Sequence, residues 1–84
     1  MNTEPREPYV KGQLIVWFVK DKEIDKNTIQ EICDNCGVEM IDFHNDRCRV
    51  KFDEKDVDAV MEKLYGWPEY IKNTSRNYYV YLRG

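Results

Sequence analysis

The sequence predicts a small α+β sandwich in the order βαββαβ. Three observations carry the prediction. Several short segments alternate apolar and polar residues or are rich in strand formers. Two segments repeat apolar residues at i, i+3, i+4 and i+7, the spacing of one helix face. Glycine, asparagine and aspartate fall at the junctions, where helices stop and hairpins turn.

Residues 1–8 hold Pro5, Pro8 and alternating charge, and read as a flexible arm before one folded domain over 9–84. Tyr9-Val10-Lys11-Gly12 reads as a turn opening into the first strand, Gln13 to Val19. Leu14, Val16 and Phe18 fall on one face of it, and Ile15, Trp17 and Val19 on the other. Lys20-Asp21-Lys22-Glu23 is a charged loop. Ile24, then Asp25 or Asn27 as the cap, opens a helix whose Ile29, Ile32, Cys33 and Cys36 share a face. Gly37 is placed to end it.

A second strand is expected over Val38 to Phe43, with His44-Asn45-Asp46 as a hairpin turn. Arg47 to Phe52 then sends Cys48, Val50 and Phe52 to the core, and Arg47, Arg49 and Lys51 outward. Asp53 is the expected cap of a second helix, with acidic residues in its first turn suiting the helix dipole. Val57, Val60, Met61 and Leu64 form its stripe, Gly66 closes it, and Trp67-Pro68 breaks the chain. Glu69 to Thr74 and Asn77 to Leu82 read as extended, with a kink at Asn73 to Arg76. Tyr79 and Tyr81 would share a face of the last strand, which suits either edge packing or an interface.

This order is the split βαβ arrangement of the ferredoxin-like fold. Two helices cover one face of an antiparallel sheet and leave the other open. The fold hosts many functions, so function must be argued from side chains.

A chain of 84 residues makes one domain, and at that size folding buries roughly 60–65% of the unfolded surface. Thirteen basic residues against sixteen acidic ones give a net charge of −3, with no bulk field to hold a polyanion. The longest apolar run, Leu14 to Val19, is too short to span a membrane, and residues 1–8 lack the apolar core of an export signal. Three cysteines cannot all pair, which favours reduced thiols and a cytoplasmic location.

No residue set reads as an active site, and the chain is not expected to be an enzyme or to carry a cofactor. Cys33 and Cys36 with His44 and Cys48 have the residue types of a zinc site. Yet all three cysteines lie on predicted core faces, where free thiols act as small hydrophobes. Thioredoxin-like chemistry wants its pair at a helix N-terminus, and this pair is at the C-terminal end. His44 is the only histidine and sits in a turn. Asp53, Glu54, Asp56 and Asp58 lack the spacing and central glycine of a calcium loop, and helix capping accounts for them. Arg47, Arg49 and Lys51 beside Trp17 suggest a single-stranded nucleic-acid platform, but the third strand puts no aromatic outward and Asp42 is near enough to neutralise charge.

Three stretches bear a likeness to a known family. They are Tyr9-Val10-Lys11-Gly12-Gln13-Leu14-Ile15-Val16 with Phe18; the helix ending at Gly37 before Val38-Glu39-Met40-Ile41; and Val57 to Leu64 followed by Glu69-Tyr70-Ile71 and Asn77-Tyr78. Together they resemble the prodomains and propeptide-like inhibitors of subtilisin-type serine proteases, across residues 9 to about 82. Trp17 stands where that family often has a basic or polar residue, and Tyr70 and Asn77 are further apart than the family's pairs. The resemblance implies that the open sheet face, with Ile15, Trp17, Arg47, Arg49 and Lys51, packs on a protease. It implies that the tail, with Tyr79, Tyr81, Leu82 and Arg83, lies in the protease cleft like a product. The expected role is thus protein binding, as a free-standing protease inhibitor or a folding-chaperone-like domain. The alternatives are a small regulatory domain forming a homodimer through its sheet, and a nucleic-acid module.

Overall fold

The computed structural model describes residues 9–78. Within them run β1 (Tyr9–Phe18), α1 (Lys26–Cys36), β2 (Glu39–Phe43), β3 (Arg47–Lys51), α2 (Val57–Leu64) and β4 (Ile71–Tyr78), with a 3₁₀ turn at Glu54–Asp56 ahead of α2. The sheet order is β2-β3-β1-β4, and every neighbouring pair is antiparallel. Helix α1 carries the chain from β1 over β3 to β2, and α2 carries it from β3 over β1 to β4. The result is a small α+β domain, a four-stranded antiparallel sheet with two helices, compatible with a ferredoxin-like fold.

The alternation predicted for β1 and β3 sets the layers. Leu14, Val16, Phe18, Cys48, Val50 and Ile71 project from the sheet into one core, where they meet the stripes of both helices. Those stripes are Ile29, Ile32, Cys33 and Cys36 on α1 and Val60 and Leu64 on α2. An eight-residue helix such as α2 is too short to persist alone in water. Burial of Val60 and Leu64 supplies roughly 3–6 kcal/mol for the pair, which decides the matter in favour of helix.

Asp25, not Asn27, caps α1, accepting the Thr28 backbone N–H at 2.8 Å. Gly37 ends it with φ 73°, and the Val38 N–H closes back on the Cys33 carbonyl at 3.0 Å. Asp53 caps the 3₁₀ turn rather than α2, through the Lys55 N–H. Asp56 precedes α2 and makes no side-chain cap bond.

Four expectations about the strands are corrected. Tyr9 to Gly12 is strand, not turn, although the register against β4 shifts between Tyr9 and Leu14 and Gly12 has φ +76°. Val19 packs against the core instead of the open face, because the register shifts after Trp17 and β1 ends at Phe18. Glu69 and Tyr70 are not extended: the Trp67 carbonyl accepts the N–H groups of both Tyr70 and Ile71 and holds a turn there. No kink interrupts Asn73 to Arg76, which pairs continuously with Trp17 to Leu14. Side chains stabilise this polar stretch from outside, the Tyr65 hydroxyl accepting the Thr74 N–H at 3.1 Å. The expected arm over 1–8 and the tail residues Tyr79, Tyr81, Leu82 and Arg83 lie outside the described residues.

Among the described residues, no helix is long and apolar enough to cross a membrane.

Candidate functional site

The face of the sheet opposite the helices gathers the residues that the sequence pointed to. In register, Trp17 lies between Arg47 and Asn73, Ile15 between Arg49 and Ser75, and Gln13 beside Lys51. The two central strands place Ile15 and Trp17 in the middle of the face. Both are half-buried by their neighbours.

Trp17 is held at two points. Its indole Nε1–H donates to Ser75 Oγ at 3.0 Å, and the Arg47 guanidinium lies 5.4 Å from its ring centroid. Arg47 in turn bonds Asp46 at 2.9 Å. On the adjacent row Asp42 accepts from Arg49 Nε at 2.8 Å and from the Arg49 backbone N–H at 3.2 Å. The Arg49 hydrogen bond and charge hold the Asp42 carboxyl below the ordinary carboxylate range. Further along, Asn77 Nδ2 donates to Gln13 Oε1 at 2.9 Å.

A bulge in β2 makes the Asp42–Arg49 pair. Met40 faces Val50 and Asp42 faces Arg49, so β2 has one residue more than β3 in that interval. By strict alternation Asp42 would follow Met40 towards the core. The bulge turns it outward to Arg49 and leaves Ile41 39% exposed on the edge strand.

The arginines of β3 therefore carry their own counter-charges on the same face. Two further cations lie at one end of the face. A cleft of about 240 Å³ opens at the Trp17 end of the face, lined by Trp17, Phe18, Lys20, Asp46, Lys72 and Asn73. Among the described residues, neither Lys20 nor Lys72 makes an ion pair. Sequence reasoning missed both. Lys20 lies in the loop after β1 and Lys72 near the start of β4, and only the β1–β4 pairing brings those ends together.

The thiols lie on the other side of the sheet. Cys33, Cys36 and Cys48 are free and buried in the core. A hydrogen bond with Cys33 and burial push the Cys48 thiol up, and burial does the same for Cys36. His44, half exposed, has its Nε2 3.7 Å from Asp42 Oδ2 and so is turned away from them. In the acidic run, Glu54 takes a role that helix capping does not describe: it receives Arg76 from β4 and the Gly12 N–H from β1.

No family model matches the sequence, and neither a curated protein nor a solved structure is significantly similar to it.

Proposed function

We propose that the domain is a non-enzymatic protein-binding module that docks through its open sheet face, with Trp17 as the anchor. The supporting observation is the state of Trp17. It is half-buried, bonded to Ser75 and overlaid by Arg47, on the face opposite the two described helices. A tryptophan fixed before binding loses little side-chain freedom on association, and tryptophan and arginine dominate the energetics of many interfaces.

The paired arginines of this face favour protein over nucleic acid. Phosphate binding draws on uncompensated cations, and Arg47 and Arg49 are already engaged by Asp46 and Asp42. A protein partner can use such satisfied pairs as a polar rim around Trp17 and Ile15.

For the partner we propose a subtilisin-type serine protease, with the chain acting as a free-standing inhibitor or folding aid. This choice rests on the motif resemblance and on a fold of compatible type. The test is inhibition of a purified subtilisin-type protease by the full chain, by Trp17→Ala and by a chain lacking Leu82 to Gly84. Trp17→Ala is expected to weaken binding by roughly 2 kcal/mol or more. The truncation is expected to abolish inhibition while the circular dichroism spectrum stays unchanged. A full chain that neither binds nor inhibits at high micromolar concentration overturns the protease target.

A further inference from the structure

The cleft beside Trp17 combines three properties. It is small: at about 240 Å³ it falls below the roughly 300–1,000 Å³ of pockets that enclose drug-sized ligands. Its charge is unbalanced. Among the described residues, Asp46 is the one carboxylate in the lining and is already bonded to Arg47 at 2.9 Å, whereas Lys20 and Lys72 make no ion pair. It also has an apolar wall and a spare polar group, the Trp17 indole and the Asn73 side-chain amide, which makes no hydrogen bond among the described residues.

We propose that this cleft receives one glutamate or aspartate side chain of the protein partner. The proposal rests on the docking reading above and extends it. The acidic side chain would lay its methylenes along the indole of Trp17 and set its carboxylate between Lys20 and Lys72, with Asn73 as a further donor. Charge complementarity selects the occupant: two free ammonium groups against a paired Asp46 leave the cleft net positive. Size limits it to a single side chain. Position links it to the rest of the interface, because Trp17 forms both the wall of the cleft and the anchor of the face. The partner's acidic residue therefore specifies the register in which it lies across Ile15 and Trp17. This moves the electrostatic part of recognition from the paired arginines of β3, where the sequence suggested it, to the ends of β1 and β4.

The test is a nuclear magnetic resonance titration of the full ¹⁵N-labelled chain. The probes are the blocked peptide acetyl-Leu-Glu-Leu-amide, its glutamine counterpart, and inorganic phosphate. The glutamate peptide is expected to shift the Trp17 indole N–H and the backbone amides of Lys20, Lys72 and Asn73 saturably, and less so as salt is raised. The glutamine peptide should bind about fivefold more weakly, the upper range for one exposed charge pair. Lys20→Glu with Lys72→Glu should remove the difference between the peptides without disturbing the dispersed spectrum of the fold. Equal shifts from both peptides overturn the proposal, as does a response centred on Arg47 and Arg49. Phosphate binding tighter than the glutamate peptide also overturns it, and would make the cleft a site for a free anion.

The same double variant, tested on the protease, separates this proposal from the docking reading. A chain that binds the glutamate peptide at the cleft but no subtilisin-type protease leaves the acidic anchor standing and removes only the protease. A chain whose protease affinity is unmoved by the double reversal keeps the docking face and removes the anchor.

Discussion

Arg76 and Glu54 form a two-point ion pair, Nη1 to Oε1 at 2.9 Å and Nη2 to Oε2 at 2.8 Å. Glu54 Oε1 also accepts the Gly12 N–H at 2.6 Å, and the Arg76 guanidinium lies 4.2 Å from the centroid of the Tyr9 ring. One carboxylate thus ties β4, the 3₁₀ turn and the bend in β1. Fork-to-fork geometry of this kind is the stronger class of ion pair.

The pair makes stability depend on acid. The Arg76 and Gly12 hydrogen bonds hold the Glu54 carboxyl at about 2, against an ordinary 4.5. The folded-state value is depressed, so the unfolded chain takes up the proton first. The stabilisation is complete above pH 4.5 and is lost as pH falls towards 2. Denaturant unfolding at intervals across that window should show the decline, and Glu54→Gln should flatten it. At pH 7 Glu54→Gln is expected to cost roughly 1–2 kcal/mol, a figure reduced for partial solvent exposure. An unchanged slope in the variant would place the acid sensitivity elsewhere.

Two glycines should respond differently to alanine. Both have positive φ, +76° at Gly12 and +73° at Gly37. A Cβ on Gly12 would stand 2.6 Å from the Phe52 carbonyl oxygen, whereas one on Gly37 would meet nothing within 4 Å. Gly37→Ala should cost about 1–2 kcal/mol for the left-handed backbone alone. Gly12→Ala should cost distinctly more, because the Phe52 N–H bond to the Gly12 carbonyl, 2.8 Å long, must also yield. Equal losses in chemical denaturation would show that β1 relaxes around the added methyl.

The thiols should react slowly with a thiol reagent in the folded protein and rapidly after denaturation, since Cys33, Cys36 and Cys48 are all at most 3% exposed. Cys48→Ser, which places a hydroxyl between sheet and helix, should cost about 1–3 kcal/mol. A chelator should leave the melting temperature unchanged. A melting point that falls on chelation would argue for a bound metal.

Single-stranded RNA should bind weakly, with no loss on replacing Arg47 and Arg49 by alanine, because Asp46 and Asp42 already engage those residues. Filter binding at low salt measures this. Micromolar affinity that falls steeply with salt and vanishes in the double variant would reverse the ranking of partners.

Local pattern carried much of the fold. The alternation of Leu14, Val16 and Phe18 and the spacing of Ile29, Ile32, Cys33 and Cys36 each place a core face without reference to distant residues. Distant pairing decided the rest. Asn73 to Arg76 is polar and looks like a break, yet Ser75 is bonded to Trp17 and Arg76 to Glu54, 58 and 22 positions away. The β2 bulge is likewise invisible in Glu39 to Phe43, because it is defined by register against β3. The open face with Ile15, Trp17, Arg47, Arg49 and Lys51 was legible from strand parity. The pairing of its arginines with Asp46 and Asp42 and the cleft at its end were not, since they depend on register and on which strand ends meet.

The direct pairing of Tyr9 with Tyr78 has a practical consequence for handling the protein. The first and last described residues lie side by side on one rim of the sheet. A fusion partner placed directly ahead of residue 9 will stand beside residue 78, so tags there are expected to weaken the proposed protease contact of the C-terminal residues. The same adjacency suits circular permutation: a short glycine linker can join the two ends, with new termini opened at the His44–Asp46 hairpin on the far side of the sheet.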